Sequence, residues 1–353
     1  MKKILSLVLS LTLAIAIFAG CGSTNNSAGT STGTATGTST GTGTSGDAVK
    51  TGLAVVSSIA SSKDAGEKDG LAQVDSMIAA VTVDKDGKIL KCVIDAAQTK
   101  INFSASGKIV TDLKTEFKSK QELGSEYGMK AKSGIKKEWN EQADAFAAYV
   151  VGKTADEVKG IAVNDKGTAG DAELASSVTV HIGDFIAAVE KAVANAQDLG
   201  AKGEDKLGLG VSTKITNSKD AGEKDGVAQA YSMYSASTFN ADGKVTSCVI
   251  DSSQSDVNFN KEGKIISDLK ATLKTKNELG AEYGMIKASK IGKEWNQQAA
   301  AFAKYVVGKS VEEVKGIAVS DQGVPTDAEL TSSVTVHIAD FQNVIEKANK
   351  NAR

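Results

Sequence analysis

The stretch that decides the fold is Met77–Asp95, which reads MIAAVTVDKDGKILKCVID. Apolar and polar residues alternate on both sides of its central Asp-Gly pair, a pattern typical of a tight β-hairpin turn. A second stretch, Ser237–Asp251 (STFNADGKVTSCVID), has the same pattern. Each stretch therefore predicts an antiparallel hairpin. The DKDG string does not suit an EF-hand calcium loop, because its glycine comes too early and no glutamate closes the loop.

Most of the chain is one pattern written twice. The string SKDAGEKDG stands at Ser62–Gly70 and again at Ser218–Gly226, and EYGM and VKGIAV recur at the same spacing. The repeated unit is far longer than one unit of a solenoid, so it predicts a tandem pair of complete domains. We expect these domains at residues 49–200 and 204–353, with a boundary in the polar stretch Asp198–Asp205. They are called copy 1 and copy 2 below.

Helical patterns follow the strands in each copy. The first helix has an apolar face predicted by three- and four-residue spacing: Trp139, Ala143, Phe146 and Val150. The strings TADE (Thr154–Glu157) and SVEE (Ser310–Glu313) are capping-box patterns, which predict the start of a further short helix. Strands first and helices after them predict an α+β fold, with an antiparallel sheet packed against helices in each copy.

The string SSVTVHI occurs at Ser176–Ile182 and again, unchanged, at Ser332–Ile338. Apolar residues continue from it at helical spacing, which predicts that a helix begins inside the string: Val178, Ile182, Phe185, Val189 and Ala192, and Val334, Ile338, Phe341, Ile345 and Ala348. The first serine of each string would then be an N-cap. Thr179 and Thr335 would lie in the first turn, where unpaired N–H groups favour a phosphate. A β-strand with alternating faces is the other interpretation.

The N-terminus predicts export and anchoring. Lys2 and Lys3 precede the apolar run Ile4–Phe18, and small residues then lead to Cys21. This resembles a bacterial lipoprotein signal, with residues 1–20 removed and Cys21 carrying the lipid; a soluble secreted protein is the alternative. Residues 21–48 comprise that cysteine and a tether rich in Ser, Thr and Gly.

Charge and cysteine usage exclude some classes of function. The chain has a net charge of −2 and no basic stripe, so it has no electrostatic affinity for nucleic acid. Cys92 and Cys248 are the cysteines other than Cys21. They are expected to be small buried hydrophobic residues, with a bridge between the copies as the alternative.

The repeated string resembles the site of FMN-binding domains that receive covalent flavin, including a flavin-bearing component of the sodium-pumping NADH:quinone oxidoreductase and its Rnf relatives. The family pattern is an acid, two residues, Ser or Thr, Gly or Ser, Ala and Thr. The matching positions are Glu173, Ser176, Ser177, Val178 and Thr179, and Glu329, Ser332, Ser333, Val334 and Thr335. Glu stands here where Asp is usual, and Val where Ala is usual. The resemblance implies that a flavin transferase joins FMN to Thr179 and Thr335 through a phosphoester. It also implies that the neighbouring serines contact the cofactor or the transferase.

The whole arrangement of anchor, tether and two such domains resembles the tandem-flavin lipoproteins of flavin-based extracellular electron transfer in Gram-positive bacteria. That resemblance implies a lipid-anchored protein on the extracytoplasmic face of the cell membrane. A membrane quinol pathway and its proteins would reduce the flavins, which would reduce extracellular acceptors such as ferric iron. Such a protein is an electron carrier rather than a substrate-specific enzyme, and the sequence offers no convincing catalytic acid, base or nucleophile.

Other residues beside the string remain open to two interpretations. His181 and His337 each follow a proposed flavin threonine by two positions and are either flavin-adjacent or structural. One histidine per domain is too few for a metal site. Aromatic and methionine residues at matching positions either flank the flavin or belong to the core: Tyr127, Met129 and Trp139, and Tyr283, Met285 and Trp295. A ligand-binding or adhesion lipoprotein without redox chemistry is the alternative function.

Overall fold

A computed structural model describes residues 46–353, which belong to one compact unit with an α+β fold. Two antiparallel sheets form its centre. The first has the order β3-β2-β1-β4 and the second the order β5-β6-β7. The strands are β1 Ala48–Ser58, β2 Gly70–Val83, β3 Ile89–Phe103, β4 Gln197–Lys202, β5 Lys206–Lys214, β6 Gly226–Phe239 and β7 Val245–Phe259. The predicted signal peptide and the lipidated Cys21 lie outside the described residues.

Helices follow the first three strands and the last three. They are α1 Lys120–Leu123, α2 Trp139–Tyr149, α3 Ala155–Lys159, α4 Ala172–Ala175, α5 Gly183–Ala194, α6 Lys276–Leu279, α7 Trp295–Tyr305, α8 Val311–Lys315, α9 Ala328–Thr331 and α10 Ala339–Lys350. Short 3-10 turns follow α1 and α6. The helices α5 and α10 lie against their sheets at very short range. A Cβ at Gly52 or Gly208 would come within 2.0 or 1.9 Å of a helix carbonyl oxygen, so only glycine fits there.

The hairpin predictions are confirmed. Strands β2 and β3 join through a turn in which the Asp84 carboxylate accepts hydrogen bonds from the N–H groups of Asp86 and Lys88, at 2.9 and 2.8 Å. Gly87 has a φ of 78°, a conformation that favours glycine. Strands β6 and β7 join through an equivalent turn, in which Asn240 takes the role of Asp84. The chemistry of a few neighbouring residues therefore fixes both hairpins.

The helix α2 and both capping boxes are also confirmed. The four residues of the predicted apolar face are buried. The Thr154 and Ser310 side chains each accept a hydrogen bond from the backbone N–H three residues on, and Glu157 and Glu313 complete the reciprocal bonds. These boxes begin α3 and α8 as the sequence predicts.

The prediction that a helix begins inside SSVTVHI is wrong. Asp171 caps the short helix α4 instead, and Ser176 stands at the C-terminal end of that helix, not at an N-cap. The helix α5 begins only at Gly183, so Thr179 lies in a loop between two helices. Ser332 and Thr335 occupy the same places after α9. The apolar spacing suggested a helix because Val178 and Ile182 are buried although they lie in the loop. They pack on the same side as the α5 residues that follow.

The polar stretch expected to separate the copies is a strand rather than a loose connection. Strand β4 covers Gln197–Lys202 and pairs antiparallel with β1. At the equivalent edge in copy 2, Arg353 and Leu207 exchange two backbone hydrogen bonds, at 3.0 and 3.1 Å. Strands β1 to β3, the helices and these edge pairings recur in copy 2 at equivalent positions.

The two sheets pack against each other in a core that both copies build. One cluster takes six buried residues from equivalent positions in each copy: Ile59, Ala65, Ala72, Val74, Ile101 and Phe103 with Ile215, Ala221, Ala228, Ala230, Val257 and Phe259. The rings of Phe103 and Phe259 stack with centroids 4.3 Å apart and an interplanar angle of 11°. A second cluster joins the sheets through Leu53, Ile78, Leu209 and Tyr234, among others. Equivalent residues of the two copies therefore meet in one shared core.

Polar contacts across this interface come in reciprocal pairs. The Asp220 carboxylate accepts from the Ile109 N–H, and the Asp64 carboxylate accepts from the Ile265 N–H, both at 2.8 Å. The ion pairs Lys191–Glu278 and Lys347–Glu122, both at 2.6 Å, are likewise equivalent. Asp64 and Asp220 belong to the repeated SKDAGEKDG string. The identity of that string in the two copies thus has a structural reason.

Candidate functional site

The loop between α4 and α5 presents Thr179 at the surface. Its backbone N–H and its hydroxyl both donate to the side-chain Oε1 of Gln142, at 2.8 and 3.2 Å, and the Val180 N–H donates to the same oxygen at 3.2 Å. In copy 2 the Thr335 N–H and hydroxyl donate to Gln298 Oε1 at the same two distances. One amide oxygen therefore holds the threonine in place in each copy.

The glutamines that hold the loop are themselves completely buried. Gln142 Nε2 donates to the Lys137 carbonyl oxygen at 3.2 Å and to the Ser133 hydroxyl at 3.4 Å. The amide orientation is thus fixed by its donors, which leaves Oε1 directed at the threonine loop. Sequence reasoning missed these residues. The available signal was a polar residue on the apolar face of α2 and α7, at the same position in both copies.

The serines of the string have a different role from the threonine. Ser176 and Ser177 donate their hydroxyls to the backbone oxygens of Glu173 and Leu174, at 2.7 and 3.2 Å. Ser332 and Ser333 do the same at the end of α9, both at 3.1 Å. These hydroxyls satisfy carbonyl groups at the end of a helix. They lie beside the threonine in sequence but serve the local fold.

His181 and His337 are exposed at the surface. Each imidazole lies over the glycine of a preceding tight turn, Gly167 or Gly323. The next residue in each copy anchors the loop by donating its N–H to that glycine's carbonyl oxygen, at 3.0 Å. The histidines thus lie two residues from the threonines, against these turns. Within residues 46–353 there is no group of three side chains suited to hold a metal ion.

A lysine of α1 lies over two aromatic rings, one of which is on α2, the helix that carries the glutamine. Lys120 Nζ is 4.8 Å from the ring centroid of Tyr127 and 5.1 Å from that of Trp139. Trp139 and Gln142 are three residues apart on α2, which separates them by about 4.5 Å along the helix axis. The ring that contacts Lys120 and the glutamine that holds the threonine loop therefore lie within one turn of α2; this lysine, its rings and the threonine loop are together called the threonine–lysine site.

The same site in copy 2 has a third ring. Lys276 Nζ is 4.6, 4.7 and 4.8 Å from the ring centroids of Tyr231, Tyr283 and Trp295, and it donates to the Tyr231 hydroxyl at 3.2 Å. Such contacts are attractive because a cation lies over the negative face of each ring. Burial lowers the pKa of Lys276 to about 8, opposed by the negative charges of Asp251 and Asp340.

A cavity of about 400 Å³ adjoins the lysine in copy 1. Its lining is mainly polar and includes Gln73, Asp75, Gln98, Lys120 and Asp184. A larger cleft of about 530 Å³ lies between β4 and α7, but its lining contains neither the threonine nor the lysine. The smaller cavity adjoins Lys120, and its lining does not include Thr179.

The aromatic and methionine residues all contact the core, at different depths. Trp139 and Trp295 are buried in the core, where they pack edge-on against Phe185 and Phe341 at 5.7 Å. Tyr127, Met129, Tyr283 and Met285 are only partly buried and pack at the margin of the core. Each tryptophan thus has one side in the core and a lysine on its ring.

The cysteines are free and buried, as the sequence predicts. Burial raises the pKa of the Cys92 thiol to about 12 and that of Cys248 to about 11. Both are therefore neutral thiols at physiological pH, and neither is activated as a nucleophile.

Comparisons with protein-family models, curated proteins and solved structures find no match to this chain. The helices described in residues 46–353 are all too short or too polar to cross a bilayer. The site itself offers a surface hydroxyl, a cationic lysine, aromatic rings and a polar cavity. Groups of these kinds can contact an anionic group and a planar ring.

Proposed function

We propose that the chain is a lipid-anchored extracytoplasmic electron carrier, with FMN joined covalently to Thr179 and Thr335. Residues 49–200 and 204–353 would each be an FMN-binding-type domain. Electrons would come from a membrane quinol pathway and its proteins, and would pass to extracellular acceptors such as ferric iron. The flavin ring supplies the redox chemistry, and the protein supplies attachment, orientation and electrostatic tuning.

The observation that carries this proposal is the duplicated loop with a surface threonine. Thr179 is exposed, and a buried glutamine fixes both its backbone and its hydroxyl. The hydroxyl of each serine in the string instead donates to a helix carbonyl. A transferase approaching the loop therefore meets one hydroxyl in a defined position. Its oxygen would form the bond to the FMN phosphorus of FAD, AMP would leave, and the hydroxyl proton would be lost.

The remaining residues of the site would act on the attached group in simple ways. Gln142 and Gln298 would position the threonine loop. Lys120 and Lys276 would place a positive charge close to the ring, and the tyrosine and tryptophan rings beside them would exclude water from one side. Covalent attachment suits a site outside the cell, since a dissociated FMN would be lost by diffusion. The tether and lipid anchor, which lie in the undescribed N-terminal part, would keep the carrier at the membrane.

The decisive experiment is the intact mass of the full chain produced with and without a flavin transferase. We expect two FMN phosphoesters with the transferase and none without it. Thr179→Val and Thr335→Val should each remove one flavin, with the residue located by peptide mass spectrometry. Ser176→Ala and Ser332→Ala are the matched controls and should keep both flavins, because their hydroxyls serve helix ends.

Gln142→Leu tests the positioning role within one molecule. It removes the acceptor for Thr179 and leaves the Thr335 loop intact, so copy 2 is the internal control. We expect slower flavin attachment at Thr179 and an unchanged rate at Thr335. Flavin retained in the Thr179→Val, Thr335→Val double variant, or flavin found on Ser177 or Ser333, would refute the proposed attachment.

A further inference from the structure

The cleft of about 530 Å³ between β4 and α7 has a much smaller equivalent in copy 1. That equivalent, a cavity of about 210 Å³ between β3 and α2, is narrowed by an ion pair. Arg353 donates to the Asp144 carboxylate at 2.5 Å, and Gln121 Nε2 donates to the same oxygen at 2.9 Å. Asp144 and Arg353 both line the smaller cavity, so their paired side chains occupy space there.

Copy 2 has smaller residues at the positions of this hydrogen-bonded group. The replacements are Ala300 for Asp144, Gln197 for Arg353 and Asn277 for Gln121. All three line the larger cleft, and none of them can form the ion pair. The β4–α7 cleft is therefore wide because the group that narrows its equivalent is absent. The fold itself does not require this space, since copy 1 fills much of it with side chains.

The β4–α7 cleft has apolar walls. Ala300 and Ala303 of α7 form one wall, with Val307 just beyond the end of the helix. Leu199 of β4 and Val249 of β7 contribute apolar side chains from the strands. Alanine has no side chain beyond Cβ, so the helix wall is nearly flat. Such a lining, apolar with a few polar groups, is typical of small-molecule sites, and its flat wall suits a planar ring.

A hydrogen-bond acceptor without a partner lies at one end of the cleft. Asn296, in the first turn of α7, lines the cleft, and its Oδ1 is buried with no hydrogen-bond partner within residues 46–353. A buried acceptor left unpaired is unfavourable, so a ligand that donates a hydrogen bond to it would be favoured. The equivalent oxygen of Asn140 is also unpaired, but Asn140 does not line the copy 1 cavity.

A cation lies at the other end of the cleft. Lys304 lines it eight residues after Asn296, about 12 Å further along the helix axis. Its side chain is exposed and forms no ion pair within residues 46–353, so its charge is open to an anionic ligand. Copy 1 has Ala148 at this position. The cation is thus a further feature of copy 2 alone.

We propose that the β4–α7 cleft binds a small aromatic hydroxy acid, a planar ring system with a hydroxyl at one end and a carboxylate at the other. The hydroxyl donates to Asn296 Oδ1, the ring lies against the alanines of α7, and the carboxylate pairs with Lys304. A fused two-ring compound spans this distance, since the lysine side chain is long and flexible. The site is separate from the threonine loop and does not depend on the proposed flavin attachment.

The test is calorimetric titration of the full chain, produced without a flavin transferase, in detergent at pH 7 with the detergent solution as blank. The probe is 6-hydroxy-2-naphthoate, and 2-naphthoate, which lacks the hydroxyl, is its matched analogue. We expect one molecule of the probe per chain. We expect the analogue to bind about tenfold more weakly, because it leaves the buried Asn296 oxygen unpaired.

Single variants then locate the ligand. Ala300→Asp restores the copy 1 residue at an exposed position and should abolish binding of both compounds. Asn296→Ala removes the acceptor, so the two compounds should then bind equally well. Lys304→Ala should weaken both compounds by the same factor and keep the preference for the hydroxyl. Asn140→Ala is the matched control in copy 1 and should leave both affinities unchanged.

No binding of the probe, equal affinities of the wild type for the two compounds, or binding that survives Ala300→Asp would overturn the inference. A hydroxyl preference that is kept in Asn296→Ala, or lost in Asn140→Ala, would also overturn it. A failure of the proposed function is a separate result. It appears as an intact mass without covalent flavin after exposure to a transferase, and it leaves these titrations unaffected.

Discussion

Removing one phenylalanine of the shared core should destabilise both copies. Phe103 and Phe259 are fully buried and stack at the centre of the interface between the sheets. Phe103→Ala removes a buried ring and leaves a cavity, at a cost of about 3–5 kcal/mol. That is a large part of the roughly 5–15 kcal/mol that stabilises a typical domain. Because both copies build this core, we expect the loss to reach copy 2.

The chain has two tryptophans, Trp139 in copy 1 and Trp295 in copy 2, so each copy can be observed by fluorescence. In a Trp139→Phe background, only Trp295 reports. Urea unfolding should then show that Phe103→Ala, a change in copy 1, moves the Trp295 transition to lower urea. A Trp295 transition that does not move would show that the copies unfold separately, and would refute the single cooperative unit.

A double-mutant cycle measures the stacked pair directly. The double variant Phe103→Ala, Phe259→Ala should lose about 1 kcal/mol less free energy of unfolding than the sum of the two single variants. The reason is that the stacking energy of the pair can be lost only once. The control is the double variant Phe103→Ala, Phe302→Ala. Phe302 lies in the helix-covered core of copy 2. Changes at such separate sites should add to within about 0.5 kcal/mol.

Two further predictions follow from burial. Residues 49–200 and 204–353, produced separately, should each self-associate. Separation exposes the apolar sheet face that packs against the other copy, and a second molecule of the same fragment can cover it. Light scattering that shows stable monomers would contradict this. Burial raises the pKa of Asp95 and of Asp251 to about 6, above the roughly 3.9 of unfolded aspartate. The stabilisation that each carboxyl contributes is fully present below about pH 4. It is lost as the pH rises through 6, which lowers the free energy of unfolding by about 2–3 kcal/mol per group. Asp95→Asn with Asp251→Asn should therefore unfold at higher urea than the wild type at pH 7.5 but not at pH 4, and equal midpoints at both pH values would refute it.

The parts of the fold that the sequence predicts well are those with a local cause. An Asp-Gly turn between alternating runs is sufficient for the β2–β3 hairpin, and a capping box is sufficient for the start of α3. Apolar spacing identifies which residues are buried, and Val178 and Ile182 are indeed buried. It does not show whether a buried residue belongs to a helix or to a loop. The Asp171 cap, which precedes the string and begins a separate short helix, decided that question.

The contacts between copies could not be predicted in this way. Apolar periodicity shows that a strand face is covered, but not which element covers it. The residues Phe103 and Phe259 carry no sign in sequence that they stack on each other. The role of Gln142 was hidden for a related reason: a polar residue on an apolar face has a partner, but its partner in the loop lies thirty-seven residues away. Such pairings follow from the tertiary fold.

The repeat offers its own test of which identities need an explanation beyond the fold. SKDAGEKDG is identical in both copies, and its aspartates bond reciprocally across the interface. The loop Ser176–Ile182 is also identical, yet its hydrogen bonds all go to residues of its own copy. Packing accounts for its buried Val178 and Ile182, and the bond to Gln142 accounts for a hydroxyl at Thr179, but neither requires that the exposed histidine be unchanged. A loop that presents the same threonine and histidine in both copies is therefore the repeated feature that the proposed flavin attachment explains.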